Sequence, residues 1–132
     1  MKNFLSGLAL LFFIIIAFGS VDEAPKITPE TLPNVEITAP QLYQAYQANE
    51  IAADEKYKDK IIQVSGRIRD IGNDLMDNPY ITLVGDQYFG DVQCFFNEKS
   101  VVANLSKGQQ ITVLGICDGL MINVLLNDCV VK

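Results

Sequence analysis

Four side chains have the types and spacing to recognise a ligand: Arg67, Arg69, Tyr80 and Phe95. Arg67 and Arg69 alternate with Ile68, so on an extended chain they share a face. Tyr80 with Thr82, and Gln93 with Phe95, occupy the outward positions of two further alternating stretches. Aromatic rings beside guanidinium groups can stack bases or sugars. A rival account keeps both rings beneath the amino-terminal helices, which must bury Leu42, Tyr46 and Tyr57 somewhere.

The surrounding acids limit what such a face can take. Asp70, Asp74, Asp77, Asp86 and Asp91 all fall in or next to the connections around it. A phosphate backbone would meet those carboxylates at a cost. The stretch from Asp70 to Asp77 is rich in oxygen ligands, but an EF-hand loop needs Asp or Asn at its third place and Glu at its twelfth. Counted from Asp70, those places hold Gly72 and Ile81. Turn chemistry accounts for these Asn and Asp residues equally well. No metal or cofactor is expected.

The chain has no histidine, which excludes Ser–His and Cys–His nucleophilic pairs and histidine-ligated metals. No phosphate-binding glycine loop is present, so an enzyme is not expected. The three cysteines, Cys94, Cys117 and Cys129, are too widely spaced for a CxxC site. Three thiols allow at most one internal disulfide, with its pairing open. Cys117 sits beside Asp118-Gly119, a hairpin signal. A simple hairpin there would separate Cys117 from Cys129 by more than a bridge can span, unless the last strand is bent or bulged.

These residues need a scaffold of strands. Ile61 to Ile71 alternates Ile62, Val64, Gly66 and Ile68 against Gln63, Ser65, Arg67 and Arg69. Tyr80 to Val84 and Asp91 to Phe96 follow. A short helix is predicted over Glu98 to Leu105. Strands over Gln110 to Cys117 and Met121 to Val131 complete the pattern. Five strands with a helix between the third and fourth is the order of an OB-fold, a small Greek-key barrel. Its usual binding face lies on the second and third strands. Gly66 and Gly115 stand where the first and fourth strands must coil. Ahead of the barrel, Thr38-Ala39-Pro40-Gln41 has capping-box spacing, and Asn49 can cap a second short helix.

The amino-terminal residues carry a different signal. After Lys2 comes the apolar run Leu8 to Phe18, with Ala17 and Gly19 placed for a cut before Ser20. That is the pattern of a secretory signal peptide. Residues 4–21, if uncleaved, are instead long enough for a membrane anchor. Both readings export the rest of the chain, to a periplasmic, secreted or membrane-anchored location. Residues 1–19 are therefore the leader and 20–37 an acidic, Pro-rich linker, with Pro25, Pro29 and Pro33 excluding a helix or central strand. Residues 38–132 form the domain. A chain starting at Ile37 is expected to keep its full stability.

Of 132 residues, 10 are Lys or Arg and 16 are Asp or Glu, a net charge of -6. That balance argues against a basic nucleic-acid footprint.

The segments AYQANEIAADEKYKDKIIQVSGRI, VQCFF, LSKGQQITVLGICDGL and NVLLNDC resemble the tRNA-anti-like OB-fold family of exported bacterial proteins. The resemblance runs from Tyr46 to Val131. It implies an OB-fold barrel and no established catalytic residues. Many members are described as lipoproteins, whereas this chain has no cysteine just after its apolar run. Residues and resemblance together point to an exported, non-catalytic binding module. Its partner is a protein or small ligand at the cell envelope. The alternative is a single-stranded nucleic-acid or oligosaccharide binder using Arg67, Arg69, Tyr80 and Phe95.

Overall fold

The computed structural model describes residues 26–132. Thr38 opens the first helix as the capping box requires: its hydroxyl accepts from Gln41 N–H at 3.3 Å, and the Gln41 amide oxygen accepts from Thr38 N–H at 3.2 Å. Helix α1 spans Ala39–Ala48. Asn49 closes it and caps α2, Glu50–Tyr57, by accepting from Ala52 N–H at 3.0 Å. Leu42, Tyr43, Tyr46 and Ala53 turn from these helices into the core.

The strands are β1 Val35–Thr38, β2 Ile61–Asn73, β3 Pro79–Val84, β4 Asp91–Phe96, β5 Gln110–Met121 and β6 Asn123–Val131. Helix α3, Lys99–Ala103, joins β4 to β5. Antiparallel pairs β2–β3, β3–β4 and β5–β6, parallel β4–β6, and closing β2–β5 make a five-stranded barrel. This is the OB-fold expected from the strand order. Ile62, Val64, Ile81, Leu83, Val92, Val113, Val124 and Leu126 fill it and are wholly buried.

Three expectations need correction. Val35 to Ile37, read as the end of a spacer, form with Thr38 a sixth strand that pairs in parallel with Ile62 to Ser65. It occupies the edge of β2 that β3, paired only from Ile68 onward, leaves open. Farther back, Ile27 is buried. The segment behind Pro29 and Pro33 thus packs on the barrel, and a chain starting at Ile37 would lose those contacts. The β5–β6 turn also falls later than Asp118-Gly119. Strand β5 runs on to Met121, passing Gly119 in an irregular step with φ 87°, and Ile122 makes the turn at φ 64°. Finally, β2 and β5 are longer than their alternation suggested, because barrel strands must continue past the core to close around it.

The leader, residues 1–19, and the start of the linker lie outside the described residues. Among the described residues, no helix is long and apolar enough to cross a membrane.

Candidate functional site

Tyr80 and Phe95 face each other directly across the β3–β4 ladder, followed by the pairs Thr82–Gln93 and Val84–Asp91. Directly opposed residues project to the same side of a sheet. The two rings pack edge to face, 5.9 Å between centroids at 62°, the arrangement that ring quadrupoles favour. Both are partly exposed. Neither belongs to the core that α1 joins through Leu42, Tyr43 and Tyr46. The reading that hides them beneath the amino-terminal helices therefore fails: the helices send Leu42, Tyr43 and Tyr46 into the core, and the rings stand on the opposite side of the β3–β4 ladder from the core residues Ile81 and Cys94. Tyr80 lies across β2 at Gly72, where a β-carbon would sit 3.1 Å from its hydroxyl.

The arginines divide. Arg69 donates from Nε to Asp91 at 2.9 Å and from Nη2 to the Asp86 carbonyl. Asp91 is buried, so this pair neutralises a carboxylate that could not stand alone there. Arg67 is exposed and forms no ion pair among the described residues. A bulge between Ile68 and Asp70 breaks the alternation that would put them on one side, and only Arg67 has a guanidinium uncommitted to the fold.

The rim is acidic and already organised. Asp86 accepts from the backbone N–H groups of Tyr88, Phe89 and Gly90 at 2.7–3.0 Å, and these bonds hold its carboxyl below the usual range. The loop they fix projects Tyr88 and Phe89, 71% and 90% exposed. Asp74 closes the β2–β3 loop in the same way, accepting from Met76 and Asn78 backbone N–H and from the Asn78 side chain. Its oxygens serve the turn, which is the account that competes with a calcium loop. Lys107 pairs with Asp70 and Lys99 with Asp77. Asn123 accepts from Asp91 N–H and donates to Gln93, fastening the β5–β6 turn to the β3–β4 ladder.

The three cysteines are buried free thiols. Among the described residues, no group of Cys, Asp and Glu converges as a metal centre would.

Elsewhere a groove of about 780 Å³ is lined by Ile27, Pro29, Phe96, Val101, Ile116 and Val131, among others. Sequence reasoning missed it because one wall is the segment taken for a free linker. The buried apolar Ile27 between polar neighbours was the available signal.

A family model described as tRNA_anti-like matches residues 4–130. Among solved structures, the chain is similar to one titled a "putative nucleic acid-binding lipoprotein" from Klebsiella pneumoniae. Identity is 22% and the TM-score is 0.56, over 73% of this chain and 90% of that one. The likeness is one of fold. Among curated proteins, none matches this chain.

Proposed function

The chain belongs to the tRNA_anti-like family, and from that membership we propose that it is an exported, non-catalytic binding module. Its outer β2–β3–β4 face takes a protein or small ligand at the cell envelope. The observation that carries this is the partly exposed Tyr80–Phe95 pair. It is apolar area left on the sheet surface of a fold that binds ligands on its second and third strands. Export is supported by the secretory pattern of residues 1–19 and by the word lipoprotein in the neighbour's title.

A second reading is single-stranded nucleic acid or oligosaccharide stacked on the same rings. The aromatic pair favours it, and the neighbour's title describes a nucleic acid binder. Against nucleic acid stand the net charge, the acidic rim and the commitment of Arg69 to Asp91. Affinity for single strands comes largely from counterion release. One free arginine gives a slope of only about -0.7 in log K against log salt.

Fluorescence anisotropy with a labelled mixed-sequence single strand at about 0.15 M salt separates the readings. No binding at micromolar protein is expected. Micromolar binding abolished by Arg67→Glu and by Phe95→Ala would overturn the first reading and establish the second. For the first, a partner captured from envelope extract must be lost from Tyr80→Ala/Phe95→Ala protein that still melts cooperatively. Retention of the partner by that variant removes the face from the proposal.

A further inference from the structure

We propose that Cys94 and Cys129 are a disulfide-forming pair, the one bridge this chain makes, with Cys117 left as a thiol. The pairing follows from a bulge. Strands β4 and β6 run side by side in parallel, with Cys94 opposite Leu126 and Phe96 opposite Cys129. Between those two rungs β6 spends three residues where β4 spends two, and Asp128 takes up the extra one at φ 52°. Residues three apart on a regular strand point to opposite faces. The bulge cancels that, so Leu126 and Cys129 both turn into the barrel, as Cys94 does.

The sulfur of Cys129 reaches back to the Leu126 carbonyl at 3.5 Å, toward the residue that Cys94 faces. Cys94, one rung back on β4, is buried on the same inner side. Gly115 leaves the space, since a β-carbon there would stand 2.7 Å from the Cys129 sulfur. Diagonal neighbours on adjacent strands are about 7–8 Å apart at the backbone, so closing the bridge takes a backbone shift of up to about 1 Å to come within the roughly 7 Å it can span.

The other pairings are worse. Cys117 lies opposite the same Leu126 from the far side, on β5. Cys94 and Cys117 are therefore two strands apart, roughly 9–10 Å at 4.7–4.9 Å per strand, beyond reach. Cys117 stands at the same offset from Cys129 as Cys94 does, but its thiol is turned to the Tyr46 hydroxyl at 3.5 Å instead.

The step is thiol–disulfide exchange with an external disulfide, such as oxidised glutathione or an oxidised dithiol protein. One cysteine thiolate attacks a sulfur of that disulfide, breaking its S–S bond and releasing one thiolate. The second cysteine then attacks the protein sulfur of the mixed disulfide and releases the other. Two protein thiols are oxidised, one external disulfide is reduced to two thiols, and the two protons pass to those products. Burial pushes the Cys129 thiol up and hides it from attack, so the bridge forms while the barrel is still open.

The test is to refold the full chain in a glutathione redox buffer, block free thiols with an alkylating reagent and map peptides by mass spectrometry. The expected result is a linked Cys94–Cys129 peptide with alkylated Cys117. Cys117→Ser keeps the link, Cys94→Ser abolishes it, and dithiothreitol lowers the melting temperature of the wild type by about 10 °C or more. Three alkylated cysteines, or a link that includes Cys117, overturn the proposal. Because the oxidant is supplied in the tube, failure here leaves export and ligand binding untouched, and those are read separately by fractionation and capture.

Discussion

The Tyr46 hydroxyl donates to the Asp54 carboxylate across 2.9 Å while the Cys117 sulfur sits 3.5 Å from the same oxygen. One ring, 2% exposed, thus ties α1 to α2 and both to β5. A hydrogen bond to a charged acceptor contributes about 1.5–3 kcal/mol, so Tyr46→Phe should lose about that much in urea unfolding. Burial first, then Cys117 and Asp54, push the Tyr46 ionisation well above the usual phenol range. A raised folded value means that its stabilisation is complete below about pH 10 and is lost as pH rises beyond it. Tyr46→Phe should flatten the alkaline limb of the stability profile. An unchanged limb would remove Tyr46 as its source.

Gly66 and Gly115 hold close approaches. A β-carbon at Gly66 would lie 2.9 Å from the Ala39 β-carbon and 3.2 Å from that of Leu83. At Gly115 it would meet the Cys129 sulfur at 2.7 Å and the Asn127 carbonyl at 3.2 Å. Overpacking of this kind costs about 1–3 kcal/mol. Gly66→Val and Gly115→Val should each lower the melting temperature by at least several degrees, and a wild-type curve for either contradicts the packing described.

Asp86 sets the conformation of the β3–β4 loop through its three N–H bonds. A carboxyl held below its usual range contributes order above about pH 4, and loses it as pH falls through the depressed value. Hydrogen-exchange protection of the Tyr88, Phe89 and Gly90 amides should drop below that pH. In Asp86→Ala it should be low at every pH. Protection that survives in the variant would show that the loop is held by something else.

Deleting residues 26–36 should cost stability. The deletion removes the buried Ile27 and the first two β1 rungs, Val35–Ile62 and Glu36–Gln63. Burying one isoleucine is worth about 1.5–3 kcal/mol. The shortened chain should melt several degrees lower than the chain from residue 20, and equal melting would mean that this segment does not pack.

The barrel was legible in the residues because its signals are local. Alternation in Ile61 to Ile71, the box at Thr38 and Gln41, and the cap at Asn49 each concern residues within a few positions of one another. The chemistry excluded by the absence of histidine was equally plain. What tertiary structure decided is contact between distant segments. Val35 to Ile37 reads as linker until the open edge of β2 is known to lie beside it. Arg69 reads as a free cation until the barrel brings Asp91 to it. Tyr80 and Phe95 alternate identically whether buried or exposed, and only the packing of α1 on the core through Leu42, Tyr43 and Tyr46 leaves them outside. The bulge at Asp128 turns Cys129 inward through a single residue in the left-handed region. A period-two pattern cannot announce such a residue, since one extra position inverts every side chain beyond it.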